Sequence, residues 1–186
     1  MSKAAAIGRG IRILKQEAWE MLITFLISQR KSIPSISSAV EKISAAFGRK
    51  IVTEREEIFT FPEPEEFPEE GNDILASCSL GYRLPYIERA VSEVRNGTLD
   101  LGQLRLLSDN ELLGRLKQLY GVGVKVANCV CLFAYGRTSM APVDTWIARV
   151  IDSEYGGVDP FPGYGEYAGI LQQYIFYYAR RSPRQL

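Results

Sequence analysis

Lys125 stands at the mouth of an otherwise apolar run, GVGVKVANCVCLFAYG, residues 121–136. A lysine in the first turn of a helix meets the positive end of the helix dipole, so the position works against its ammonium form, and burial adds to that. This costs stability but favours chemistry, because an amine needs its lone pair to act as a nucleophile. Taken alone, the residue is better read as a lysine that snorkels to solvent or pairs with a phosphate. Asp144, in APVDTW, follows nineteen residues later, about one helix and one loop on. By itself it is best read as a helix cap. Facing the same cleft as Lys125, it would also accept a proton and stabilise positive charge developing on a sugar ring.

Composition removes most other chemistry. The 186 residues contain no histidine, which excludes Ser–His–Asp triads and histidine metal sites. The three cysteines, Cys78, Cys129 and Cys131, are too few for a four-thiolate cluster or zinc site. Cys129 and Cys131 lie inside an apolar helix pattern and read as buried thiols. Apolar residues are 46% and charged residues 24%, as in a water-soluble globular chain. No stretch is long and apolar enough to span a bilayer, and none looks like a secretory signal, so a cytoplasmic protein is expected. The net charge is zero, yet residues 54–73 hold nine acidic side chains and one basic, which leaves 21 basic against 13 acidic elsewhere. A local basic surface is compatible with that imbalance, as are ordinary solvated faces.

The elements that must hold these residues are helical. Ile33, Ile36, Val40, Ile43 and Phe47 recur at three- and four-residue steps, with Pro34 suited to a first turn and Gly48 at the end. Residues 18–28, AWEMLITFLIS, are apolar nearly all round, which predicts a fully buried helix. Ile87, Ala90, Val91 and Val94 form another stripe closed by Gly97. SDNE at Ser108–Glu111 fits a capping box ahead of LLGRLKQL. The glycine turn, the Lys125 helix, a helix capped by Asp144 and a closing helix over EYAGILQQYIFYYARR follow. KIVTE and IFTF are weak strand candidates, and the Pro/Glu stretch 60–72 reads as a loop. The expected fold class is all-α, with about eight helices.

A helix, a short glycine turn and a second helix in LGRLKQLYGVGVKVANCVCLFAY make a helix-hairpin-helix. Backbone N–H groups at such a turn, with the helix dipole behind them, suit a phosphate and hold a nucleic-acid backbone without reading its sequence. The hairpin followed by APVDTWIARVI resembles the helix-hairpin-helix DNA glycosylases with a Gly/Pro-rich loop and trailing aspartate. Within them it is most similar to the 8-oxoguanine DNA glycosylase branch. The segments ILKQEAWEMLITFLISQ, FPEPEEF, LGYRLPYIERAV and YGEYAGILQQYIF resemble that branch in the same order, over nearly the whole chain.

The resemblance implies two helical lobes around an active-site cleft: residues 17–91 with a DNA-wedge loop, and residues 1–16 plus 92–186 with the hairpin and catalytic residues. It implies a bifunctional glycosylase/AP lyase that removes oxidised guanine from double-stranded DNA. Lys125 matches the lysine that attacks the deoxyribose C1′, forms a Schiff base and permits β-elimination, and Asp144 the aspartate that supports charge at the sugar. Cys129 and Phe176 match the residues that sandwich the extruded base, and Gln172 the glutamine at its Watson–Crick edge; without the resemblance Gln172 reads as an exposed helix residue. Tyr82 and Arg83 match the aromatic wedge and its neighbouring arginine, while Gly121, Gly123 and Val124 match the hairpin's DNA contacts. No cofactor and no side-chain metal site is implied; a monovalent cation on the hairpin backbone is compatible with the pattern. A monomer is expected, with room for a partner over the face left by a domain that the branch usually carries ahead of this region.

There are departures. The chain is expected to begin after that preceding domain and to lack its contact to 8-oxoguanine, so that another chain supplies it, specificity is looser or the sequence is a shortened form. Arg30, in RKS, stands where the branch often has asparagines, as a cationic plug. Trp146 stands where a histidine phosphate contact is usual. The tail RRSPRQL has none of the cysteines of endonuclease III-type relatives. Two other readings stay open: a glycosylase or AP lyase for a different lesion, and a non-catalytic DNA-binding remnant.

Overall fold

A computed structural model describes residues 1–181. The last five residues of the expected second lobe, and with them most of the RRSPRQL tail, lie outside the described residues. Among the described residues nine α-helices follow one another: α1 (Ser2–Ile7), α2 (Ala18–Ser28), α3 (Ile33–Phe47), α4 (Asp73–Ser77), α5 (Leu84–Arg95), α6 (Asp109–Lys117), α7 (Val124–Phe133), α8 (Thr145–Glu154) and α9 (Ala168–Arg181). No helix among the described residues is long and apolar enough to cross a membrane.

The local sequence explains most boundaries. Ser32 caps α3 by accepting from the Ser35 N–H, with Pro34 in the first turn. The Ser108–Glu111 capping box forms at the start of α6 in both directions. A 3-10 stretch, Phe161–Tyr167, leads into α9, broken by Gly165 at φ +52°.

The strand candidates do pair. β1 (Lys50–Val52) and β2 (Glu57–Phe59) form an antiparallel hairpin with Ile51 opposite Ile58. All six residues are exposed, so neither face carries the alternation that would mark a strand in the sequence. The Pro/Glu stretch is tied down rather than loose. It holds a 3-10 turn at Pro64–Glu66, and Arg95 donates to the carbonyls of Pro64 at 2.9 Å and Glu65 at 3.2 Å. Trp19 donates to Pro62 O at 3.0 Å and meets Phe67 edge-on.

Buried apolar side chains fall into two clusters. The larger joins α2, α3, α5, α6 and one side of α7 around Leu22, Ile27, Ile43, Ile87, Leu116 and Val130. The smaller joins α1, α8 and α9 around Ala4, Ile147, Val150, Phe161, Ile175 and Tyr178. Cys129 and Leu132, on another side of α7, are buried at 3% and 1% exposure yet belong to neither cluster. That side of α7 lies at the seam between the two.

Candidate active site

The hairpin is built by steric demand. Gly121 sits at φ +83°, and a β-carbon there would lie 2.3 Å from the ring of Tyr86. Tyr86 in turn packs edge-on against Tyr120 with centroids 5.0 Å apart. The Gln29 side chain, at the end of α2, donates to Gly121 O at 3.0 Å and fixes the turn from behind. Gly123 is the N-cap of α7 and brings no side chain to cover the first N–H groups of the helix. Gly123 and Val124 are exposed, so these donors face outward as a phosphate site requires.

Lys125 follows in that first turn and is half-buried. Its Nζ donates to Ser28 Oγ at 3.4 Å and lies 5.2 Å from the centre of the Phe25 ring. Ser28 passes its own proton to Phe25 O at 2.8 Å, leaving its lone pairs toward the amine. Among the described residues Lys125 forms no ion pair. The amine is therefore held by the Ser28 hydroxyl and the Phe25 ring face, with the Cys129 thiol as a further hydrogen-bond partner.

Asp144 caps α8: one carboxylate oxygen accepts from the N–H groups of Trp146 at 3.0 Å and Ile147 at 2.9 Å. Its second oxygen has no hydrogen bond among the described residues. The cap fixes the side chain's direction, and the free oxygen remains available.

Cys129, one turn after Lys125, reports on both groups. Burial pushes its thiol up to about 11, the Lys125 ammonium pulls it partly back, and the Asp144 carboxylate pushes it further up. The lysine and the carboxylate thus each lie within electrostatic range of the thiol at the seam. The thiol stays protonated near neutral pH and acts as a soft, uncharged surface, not as a nucleophile.

The α9 residues approach the same seam. Gly169 N donates to Thr138 O at 2.7 Å, and a β-carbon at Gly169 would lie 2.8 Å from Leu132 Cδ1. From that contact, Gln172 and Phe176 follow at three and seven positions on α9. Cys129 and Lys125 precede Leu132 by three and seven on α7, so each set forms one helical stripe. Gln172 is 3% exposed rather than on a solvated face, and its Oε1 accepts from Gln173 at 2.6 Å. Phe176 is half-buried against the smaller cluster.

Tyr82 and Arg83 lie ahead of α5 and behave differently. Tyr82 is 51% exposed. Arg83 is 6% exposed; it donates to Leu80 O at 3.2 Å and to Gln29 O, with its guanidinium 4.3 Å from the centre of the Tyr82 ring. Arg30, next to Gln29, is exposed at φ +52°. Trp146 is half-buried, with the Arg149 guanidinium 5.5 Å from its ring. Among the described residues no three His, Cys, Asp or Glu side chains gather to hold a metal.

Sequence reasoning missed Phe25, Ser28 and Gln29. Their one signal is the polar Ser-Gln pair that ends an otherwise apolar helix.

No family model matches the chain. A probable N-glycosylase/DNA lyase of Methanothermobacter thermautotrophicus is 29% identical over 204 residues, covering 94% of this chain and 65% of that protein. The N-glycosylase/DNA lyase of Saccharomyces cerevisiae is 31% identical over 162 residues, covering 79% of this chain and 42% of its own. The structure of Clostridium acetobutylicum 8-oxoguanine glycosylase/lyase, solved with double-stranded DNA carrying cytosine opposite 8-oxoG, superposes with a TM-score of 0.93 at 34% identity, covering 98% of this chain and 66% of that one. The chain thus spans about two thirds of the archaeal and clostridial relatives and less of the yeast protein. With the hairpin and its lysine followed by a capping aspartate, these likenesses establish that the chain belongs to the helix-hairpin-helix DNA glycosylases, in the 8-oxoguanine N-glycosylase/DNA lyase branch.

Proposed function

We propose that this protein is a bifunctional DNA glycosylase/AP lyase that removes oxidised guanine, 8-oxoguanine, from double-stranded DNA. The observation that carries the reading is the seam itself: a half-buried amine without an ion pair, a protonated thiol one turn away and a carboxylate with one free oxygen. The amine of Lys125 attacks C1′ of the damaged nucleotide while the bond to the base breaks and the base leaves with the electron pair. Asp144 stabilises the positive charge that develops at the sugar and takes up a proton from the attacking amine. Loss of the sugar ring's C–O bond gives the iminium. Removal of a C2′ proton then expels the 3′ phosphate and nicks the strand.

The base must leave the stack first, at a cost of a few kcal/mol. In this reading Tyr82 fills the gap, Arg83 stiffens it, and Arg30 stands by the base left behind. The extruded base lies between Cys129 and Phe176, with Gln172 at its edge. Gly121, Gly123 and Val124 hold the backbone. The lobe of residues 17–91 supplies the wedge; that of residues 1–16 and 92–186 supplies the nucleophile. The lysine provides the nucleophile directly, so the reaction draws on no cofactor.

Borohydride trapping on an 8-oxoguanine:cytosine duplex tests this. The wild type is expected to give a covalent adduct and Lys125→Gln none; an equal adduct from both would overturn the reading. A second version is favoured by the exposed Arg30 at the place where the resemblance puts asparagines: the same lysine acting on a different lesion or on abasic sites alone. It predicts nicking of abasic DNA without release of 8-oxoguanine, which a panel of lesion duplexes separates.

A further inference from the structure

We propose that Lys31 and Lys42, converging on Ser79, form a binding site for a backbone phosphate of duplex DNA beside the Arg30 and Tyr82 loops. The site rests on the DNA-repair reading above and adds a contact that the sequence motifs do not mark.

Two loops meet here, residues 29–32 after α2 and residues 78–83 before α5. Three cations stitch them together. Lys31 Nζ donates to Ser79 O, Lys42 Nζ reaches across from α3 to Ser79 Oγ at 3.0 Å, and Arg83 donates back to Gln29 O. Arg30 adds a fourth positive charge at the rim. Each loop also holds a non-glycine residue at positive φ, Arg30 at +52° and Ser79 at +64°, the two such residues among those described. Such strain persists where the surroundings hold it and clusters at binding sites.

The stitching uses only neutral acceptors. The chain carries 22 acidic side chains against 22 basic ones, yet among the described residues none of Arg30, Lys31, Lys42 or Arg83 is in an ion pair. Arg49, Lys50, Arg89, Arg95 and Arg137, elsewhere on the surface, each have a carboxylate within 4.0 Å. Burial lowers the pKa of Lys31, and the Arg83 and Lys42 charges lower it further. The cluster is thus short of a counter-charge. Each ammonium has three N–H donors and spends one on Ser79, leaving two for an anion. A phosphodiester supplies both the charge and the acceptor oxygens. The exposed Tyr82 ring and the Gln29–Gly121 link place that anion along the same DNA that reaches Lys125, so the source is the duplex backbone.

Binding of a duplex with a tetrahydrofuran abasic analogue, followed by anisotropy over a range of salt, tests the site. Each phosphate contact contributes about 0.9 to the slope of log K against log salt. The double variant Lys31→Gln/Lys42→Gln is expected to show a slope shallower by about 0.9 and at least tenfold weaker binding at low salt. Lys31→Arg/Lys42→Arg keeps the slope, and so does Lys50→Gln, whose charge is paired on the exposed hairpin. If the double variant loses its fold on thermal melting, Lys42→Gln alone, an exposed change that leaves Lys31 in place, is expected to be shallower by about half that amount. A glutamine variant that is folded and has the wild-type slope overturns the site while leaving the enzyme reading intact. A wild type without salt-dependent duplex binding or a trapped adduct overturns both.

Discussion

Lys125 donates to the hydroxyl of Ser28 at 3.4 Å across 97 residues of chain, and that hydroxyl is itself anchored to the carbonyl of Phe25. The relationship gives the amine a direction without a carboxylate partner, so nothing charged has to be displaced before it acts. Ser28→Ala removes the guide but not the nucleophile. With a hydrogen bond worth about 1 kcal/mol, single-turnover base release is expected to slow about 3- to 10-fold, with duplex affinity unchanged. An unchanged rate would show that the ring of Phe25 suffices to aim the amine.

Asp144 caps α8 and, on the proposed function, also supports charge at the sugar, and two substitutions can separate these roles. Asparagine also caps helices well, so Asp144→Asn is expected to keep thermal stability within about 0.5 kcal/mol while strongly slowing glycosidic cleavage. Asp144→Ala loses the cap as well and is expected to cost about 1 kcal/mol in denaturant melts. Full cleavage by the asparagine variant would reduce Asp144 to a cap.

Two glycines of the hairpin should answer differently to alanine. At Gly121 the left-handed backbone and the collision with Tyr86 together predict a loss of about 2–4 kcal/mol in chemical denaturation. At Gly123 a β-carbon meets nothing within 4 Å and φ is −88°, so Gly123→Ala is expected to stay within about 0.5 kcal/mol. Comparable losses at both would mean that the turn rearranges freely.

The buried thiols set an alkaline limit. Cys129 is pushed up to about 11 and Cys131 to about 12 from an ordinary 9.0, in both cases mainly by burial. As pH rises above 9 the unfolded chain gives up these protons while the folded one keeps them. Their contribution is therefore complete below pH 9 and is lost as pH climbs through 11 and 12. Near pH 10 each thiol is expected to cost about 1 kcal/mol of stability. Urea melts in reductant at pH 8 and pH 10 measure this, and Cys129→Ala should cut the difference by about half, with Cys131 supplying the rest.

The helices were legible where the apolar pattern and a capping or first-turn residue agreed, as at α3 and α6, and at α2 where the run is apolar nearly all round. The β1–β2 hairpin was not, because all of its side chains face water and no core imposes a period. Lys125 and Asp144 stood out because each is a charged residue next to an apolar helix start. Gln172 did not reveal its burial, since a lone amide among Gly169, Ile175 and Phe176 on α9 carries no mark of what packs over it. Ser28 and Gln29 escaped for a further reason: their partners lie 97 and 92 residues away, and local spacing says nothing of such contacts.

Gln29 holds the hairpin by its side chain and Arg83 by its main chain. The tip that carries Tyr82 and the turn that precedes Lys125 are thereby geared through a single residue. On the proposed function, a strand that bends Tyr82 aside pulls on the platform of Lys125, so the act of prying open a helix is felt where the bond will break.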